Sequence, residues 1–341
     1  MNSLFSPDMV TWEITERCNM HCRHCSNAVN GLPFELDTAD CKRIIDKISE
    51  AKIFKVGIEG GEPLIRRDLV ELITYMNKKK IRPSIATNGT LLDANFIDRL
   101  KSCSVDAIQI SLDGSDKDSY AILRGESSRF DLILQNVKLA IKNELPITIA
   151  MVVSKSTYKQ IPEMVKLAQS LGVTKLRFID YVPSGRGQTS DCLSAEELRS
   201  AYSSMSQIEH KGLQIVTPNK LMSLLSQTTE ETLLGLINPG TCFGCEAGTV
   251  IAHIRANGDL FPCSFFRDPI FCAGNILQNS LQSIWATSEA FYPLRKITNI
   301  PEKCKDCKKT IAVSEDAERM HTIQPVVCRM QILDVGGSNV Y

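Results

Sequence analysis

The sequence predicts an α/β protein, a partial (β/α)6 barrel followed by a cysteine-rich β-hairpin and helix extension. From residue 10 to 183, short runs rich in β-branched and aromatic residues alternate with longer amphipathic stretches. That alternation is the signature of parallel strands joined by crossover helices. Beyond residue 241 the pattern changes to extended segments around Asn257-Gly258 and to grouped cysteines. Polar and glycine-rich segments also fall at the carboxyl ends of the predicted strands, where barrel-type folds build their sites.

Strands are expected at 10–15, 55–60, 83–88, 107–113, 147–153 and 175–182. Stretches at 41–52, 68–80, 130–143 and 161–172 repeat apolar residues at helical spacing and are expected to cross over between them. Six strand-helix units are too few for an eight-stranded barrel, so an open or partial one is expected. The chain divides into a core at 1–190, a helical bridging segment at 191–240 and a cysteine-rich extension at 241–341. Residues 183–191 form a turn-rich connector after the sixth strand, and 194–235 read as helices with a short extended stretch, Gln214 to Pro218, between them. In the extension, residues 249–266 read as a hairpin, with Asn257 and Gly258 supplying a two-residue left-handed turn. His253 and Arg255 alternate with apolar neighbours there and so share one face, which either looks toward substrate or, the commoner meaning in a ribbon, is solvated.

Composition narrows the class of function. The 341 residues are 43% hydrophobic, enough to bury a large core. Lysine plus arginine and aspartate plus glutamate both number 39, so no global field draws the chain to nucleic acid or an anionic membrane. No apolar stretch reaches the ~18 residues of a bilayer span, and the first residues lack the basic and apolar regions of a signal peptide. A cytoplasmic location is the expectation. There, thirteen cysteines should stay reduced, and an odd number cannot all pair internally, so metal binding leads. Nine are grouped: Cys18, Cys22 and Cys25, then Cys242, Cys245, Cys263, Cys304, Cys307 and Cys328. Cys41, Cys103, Cys192 and Cys272 stand apart and read as small buried hydrophobes.

Cys18-x3-Cys22-x2-Cys25 follows the first strand in a loop able to wrap three thiolates around one inorganic core. A four-iron cluster with three protein ligands leaves one iron open for chemistry. A zinc site is the rival, with His21 or His24 as fourth ligand. The other strands end in Gly60-Gly61-Glu62-Pro63, Thr87-Asn88-Gly89, Ser111-Leu112-Asp113-Gly114, Ser154-Lys155 and Pro183-Ser184-Gly185. Each alone is an ordinary turn; their weight comes from sharing one rim.

These segments resemble the radical S-adenosylmethionine (radical SAM) superfamily through C-x3-C-x2-C at 18–25, GGEP at 60–63, TNG at 87–89 and SLDG at 111–114. The resemblance implies a 4Fe-4S cluster on Cys18, Cys22 and Cys25, whose open iron is chelated by the amino and carboxylate groups of S-adenosylmethionine. Reductive cleavage then yields a 5′-deoxyadenosyl radical that takes a hydrogen atom from the substrate. The resemblance places Gly60, Gly61 and Glu62 at the methionine amino group. Asn88, Ser111, Asp113, Ser154 and the strand at 176–183 would line the rest of the cofactor, and Arg124 would approach its carboxylate.

Cys245, Gly258, Cys263 and the pair Cys304-x2-Cys307 resemble the SPASM extension or its shortened form, twitch. This implies a second, auxiliary 4Fe-4S cluster on Cys245, Cys263, Cys304 and Cys307. The further cysteines of the full SPASM pattern are missing after Cys307, so one auxiliary cluster is expected, with Cys242 and Cys328 unassigned. A zinc ribbon of Cys242, Cys245, Cys304 and Cys307 is the alternative. The resemblance implies an enzyme that oxidises or cross-links a side chain of a ribosomally made peptide, with flavodoxin or ferredoxin as electron donor. The chain begins almost directly with its first strand, so no separate peptide-binding domain is expected ahead of it. A dehydrogenase or epimerase of small molecules such as sugar alcohols or nucleotides is the second reading. A non-catalytic iron-sulfur or zinc scaffold is the third.

Overall fold

The computed structural model describes residues 6–28, 33–194, 212–216 and 247–291, with a few positions between 196 and 208 and residue 294. Six parallel strands, β1 (Met9–Glu13), β2 (Lys55–Glu59), β3 (Arg82–Thr87), β4 (Ala107–Ser111), β5 (Ile147–Val153) and β6 (Lys175–Asp180), lie in chain order. Between them run α1 (Thr38–Glu50), α2 (Leu69–Lys78), α3 (Ala94–Leu100), α4 (Lys117–Arg124), α5 (Arg129–Lys142) and α6 (Ile161–Leu171). Three of these helices start where short acceptors satisfy free N–H groups: Asp37 caps α1, Asp93 caps α3, and Asp116 with Ser119 forms a capping box on α4. Gly172 ends α6 at φ +76°, a left-handed conformation that suits glycine.

Two further segments join the same sheet. The extended stretch of the bridge becomes β7 (Gln214–Val216), parallel to β6. The hairpin supplies β8 (Ile251–Ile254) and β9 (Asp259–Phe261), followed by the short β10 (Gly274–Asn275). Strand β8 runs parallel to β1, with Thr11 opposite His253, so the sheet reads β10-β9-β8-β1-β2-β3-β4-β5-β6-β7. The extension is thus continuous with the edge of the barrel core. Helix α7 (Leu281–Thr287), capped by Ser280, follows it.

The turn of this hairpin differs from expectation. Only Gly258 is left-handed, at φ +87°; its N–H donates to the Arg255 carbonyl at 2.9 Å and the Arg255 N–H to the Asp259 carbonyl at 2.8 Å. This is a four-residue turn closed by a glycine bulge, in which Asn257 needs no positive φ.

Strand alternation sorts the two faces of the sheet. Val10, Trp12, Ile58, Ile85, Ile108 and Ile110 belong to the helix-covered core together with Ile44, Ile45 and Ile48 of α1. Thr11, Glu13, Gly57, Glu59, Ser84, Gln109 and Ser111 occupy the opposite face, so that surface is largely polar. Arg66 locks the helix side to the strand ends. It is 2% exposed and donates to the Ile14 carbonyl at 2.9 Å, the Leu36 carbonyl at 2.8 Å and the Asp68 carboxylate at 2.7 Å. Replacing Arg66 by Met strands two carbonyls and a carboxylate. Denaturant unfolding should register a loss of about 3 kcal/mol; unchanged stability would mean that these groups find other partners.

Candidate active site

The cysteine loop leaves β1 and is held from several sides. Gly61 and Glu62 pair their N–H groups with the Thr15 carbonyl at 2.7 Å and the Arg17 carbonyl at 2.8 Å, which extends the β1–β2 pairing beyond the strands. That approach excludes side chains: a Cβ on Gly60 would lie 2.3 Å from the Thr15 oxygen and one on Gly61 2.1 Å from the Arg17 oxygen. Gly60 also sits at φ +140°. On the far side, Arg186 donates from Nε to the Cys22 carbonyl at 2.9 Å and from its backbone to the Cys25 carbonyl at 3.0 Å. Gly185 packs so tightly on the Cys25 carbonyl that a Cβ would come within 2.3 Å.

Cys22 is buried, Cys25 half-buried and Cys18 exposed at the loop surface. Arg124 stands behind them, donating from Nη1 to Cys22 Sγ at 3.7 Å and from Nε to Asp113 Oδ2 at 2.5 Å. Asp113 is fully buried and also accepts from the Val152 N–H at 2.7 Å, while His24 Nε2 lies 3.2 Å from its Oδ2. Burial opposes charge on Asp113, yet the Arg124 guanidinium and His24 overcome it and hold the carboxyl well below the usual carboxylate range.

The remaining rim residues act on one another. Glu62 is 1% exposed and accepts three hydrogen bonds: from the Leu64 N–H at 3.0 Å, Thr87 Oγ1 at 2.7 Å and the Asn88 N–H at 2.7 Å. Burial raises its pKa, against the pull of those donors. Asn88 donates from Nδ2 to Asn19 Oδ1 at 2.8 Å, and Asn19 returns a bond to Thr90 at 2.8 Å, tying the cysteine loop to the turn after β3. Ser154 is buried among Ser156 and Thr157 hydroxyls at 3.0 and 3.1 Å. Ser111 is half-buried on the polar face.

The loop supplies three thiols, the number that leaves one iron of a four-iron cluster open. Burial pushes the Cys18 thiol up to about 11, with Glu62, Cys22 and Cys25 adding to the rise. Burial likewise raises Cys25, against Arg186. Three mutually repelling thiolates in such a loop need strong compensation from whatever they bind. His24, offered as a fourth zinc ligand, has Nε2 turned to Asp113 and Nδ1 at 3.3 Å from the Leu123 carbonyl.

Of the cysteines grouped in the extension, Cys263 follows β9 and is half-buried. Cys242, Cys245, Cys304, Cys307 and Cys328 lie outside the described residues. The expectation for His253 fails. It is 1% exposed, with Nδ1 2.8 Å from Thr11 Oγ1 and 3.2 Å from Glu59, and Nε2 3.8 Å from Glu13. Burial lowers its pKa, but Glu13 and Glu59 outweigh that and raise it. Period-two alternation marked its face correctly; that this face meets β1 depends on a pairing 242 residues apart, which local pattern does not encode. Asn19, Asn27 and Arg186 carry no sequence signal beyond their nearness to motif residues.

Asp113 gives a pH test. Because its folded pKa is depressed, its charge contributes stability above the unfolded value of ~3.9 and loses that contribution as pH falls through the folded value. Asp113→Asn should cost about 3 kcal/mol near neutrality, and the gap from the wild type should narrow below roughly pH 4. A gap that stays constant through the acid range would contradict the charged pairing.

Comparison with known proteins agrees with this geometry. The Radical SAM superfamily profile matches residues 12–168, and the SPASM profile, an iron-sulfur cluster-binding domain, matches 245–308. Mycofactocin maturase MftC of Mycolicibacterium smegmatis is 34% identical over 302 residues, which is 86% of this chain and 74% of that protein. AdoMet-dependent heme synthase of Methanosarcina barkeri is 29% identical over 313 residues, 89% of each chain. Streptococcus suis SuiB bound to its precursor peptide SuiA shares the fold, with a TM-score of 0.76 at 20% identity over 96% of this chain and 77% of that one. No helix among the described residues is long and apolar enough to cross a membrane. The chain is a radical SAM enzyme that carries a SPASM iron-sulfur extension.

Proposed function

We propose that this enzyme modifies a side chain of a ribosomally made peptide, by oxidation or cross-linking. The observation that carries the reading is the polar face of an open sheet. Among the described residues β7 and β10 are not paired to each other, and the polar face between them offers Thr11, Glu59, Ser84, Gln109 and Ser111 to a segment of polypeptide. The relationship to MftC, a maturase, supports the same reading. Conversion of a small molecule is the second reading, supported by the equal coverage shared with a heme synthase.

In this reading Cys18, Cys22 and Cys25 hold the SAM-binding 4Fe-4S cluster, and Cys245, Cys263, Cys304 and Cys307 hold the auxiliary one. When bound, the first cluster and S-adenosylmethionine supply a 5′-deoxyadenosyl radical for hydrogen abstraction. The chain's own groups then divide by what is left free. Asp113, Arg124, Glu62 and Ser154 have polar atoms committed to the protein and position the walls of the site. Gly60 and Gly61 offer close backbone approach, Asn88 lines the cofactor with an amide already held by Asn19 and Thr90, and Ser111 lines it from β4. Arg124 lends positive charge to the thiolates. A flavodoxin or ferredoxin is the electron donor.

Reconstituted protein with dithionite and S-adenosylmethionine should form 5′-deoxyadenosine, and Cys18→Ala should reduce this to background. Adding the peptide encoded beside its gene should give a product lighter by hydrogen or newly cross-linked. Robust deoxyadenosine formation with every such peptide unchanged, and a tetrapyrrole, sugar alcohol or nucleotide converted instead, would replace the peptide reading with the small-molecule one.

A further inference from the structure

The segment after β9 reaches back across the sheet to the cysteine loop through one side chain. Arg267 lies four residues beyond Cys263. Its Nη2 is 3.3 Å from Glu13 Oε1 at the end of β1, and the same nitrogen donates to Asn27 Oδ1. Asn27 stands two residues past Cys25 and donates from Nδ2 to the Gly60 carbonyl at 3.1 Å. One guanidinium therefore joins four segments: the hairpin extension, the end of β1, the trailing end of the cysteine loop and the glycine turn.

The extension holds this arginine firmly from behind. Arg255 donates from Nη2 to the Arg267 carbonyl at 3.0 Å and the Phe266 carbonyl at 3.4 Å, and its guanidinium lies 4.0 Å from the Phe261 ring centroid. Phe266 and Phe271 meet edge to face at 4.7 Å and stiffen the same loop. In front, the Glu13 carboxylate is 0% exposed, and His253 Nε2 lies 3.8 Å from its other oxygen. A buried carboxylate in that position holds its arginine in place, because separating them would leave the charge without adequate compensation. The arginine in turn fixes the Asn27 amide, whose two ends then point to Arg267 and to Gly60.

We propose that Arg267 is a positioning residue for S-adenosylmethionine cleavage: through Asn27 it sets the cysteine loop against the glycine turn, so the radical-generating site is complete only with the extension docked. The proposal rests on Cys25 as a cluster ligand and on Gly60 as part of the cofactor wall. A residue that merely stabilised the fold would need only the Glu13 pair; the link through Asn27 reaches the cofactor side.

The test uses full-length, anaerobically reconstituted protein: wild type, Arg267→Met, Arg267→Lys, Asn27→Ala and the Asn27→Ala/Arg267→Met double variant. Iron content is measured for each, S-adenosylmethionine is titrated against the EPR signal of the reduced cluster, and deoxyadenosine formation is followed over the same range. Hydrogen exchange at 22–28 and 59–62 is read on protein before reconstitution. The proposal expects a roughly tenfold weaker apparent affinity for S-adenosylmethionine in Arg267→Met and in Asn27→Ala, the size of one charge-assisted hydrogen bond. The double variant should be no worse than either single one, Arg267→Lys should recover part of the loss, and exchange should quicken in both segments. Unchanged affinity with only a lower melting temperature, or losses that add in the double variant, would overturn it. If Arg267→Met does not fold, Asn27→Ala, which leaves Glu13 paired, decides alone. Wild-type cleavage in the same assay reports separately on the enzyme's basic chemistry.

Discussion

Three thiol groups have to be brought together in a partly buried loop, and every other feature of the site answers that constraint. Burial and mutual repulsion keep Cys18 and Cys25 protonated at neutral pH in the bare protein. The loop is therefore shaped in advance by its surroundings. Backbone pairing to the glycine turn fixes its start, and Arg186 fixes its middle and end. Arg124, itself balanced by buried Asp113, brings positive charge to Cys22. The ion pair is costly to bury, so its place beside a sulfur is better explained by the site than by stability.

The sheet converts that local constraint into an architecture. Parallel strands in chain order bring five turns to one rim, and the helices cover only one face. Addition of β8 to β1 places the extension against the strand from which the cysteine loop departs. On one face the two share an apolar core, Val10 and Trp12 beside Ala252 and Ile254, and on the other the contacts are polar: Thr11 with His253, Glu13 with Arg267, Asn27 with Arg267. The apolar side supplies stability and the polar side orientation, because hydrogen bonds and ion pairs demand one geometry where apolar packing tolerates several.

Much of this was legible in the sequence. The six core strands fall within two residues of their expected ends, because β-branched runs bounded by turn residues have few other ways to fold. The rim also followed from strand placement alone. Longer-range facts did not. Glu62 reads as a carboxylate facing a ligand, but three donors from Leu64, Thr87 and Asn88 converge on it only when β2 and β3 are neighbours. His253 reads as solvated because its local alternation is that of a hairpin with one wet face; Thr11, Glu13 and Glu59, on the same face of neighbouring strands, enclose it instead. The turn was misread because Asn257-Gly258 suits a two-residue loop as well as a bulged one, and the Arg255–Asp259 pairing decides between them. The merging of hairpin and barrel into one sheet has no local signature at all.

The central claim is that Cys18, Cys22 and Cys25 leave one metal vertex free for S-adenosylmethionine. Electron-nuclear double resonance on the reduced enzyme, with the methionine amino nitrogen and carboxylate of the cofactor isotopically labelled, reads that vertex directly. Hyperfine coupling from both labels to the cluster, lost on Cys18→Ala, is the predicted result. A cofactor that binds without coupling, or a cluster whose every iron carries a protein ligand, would contradict it.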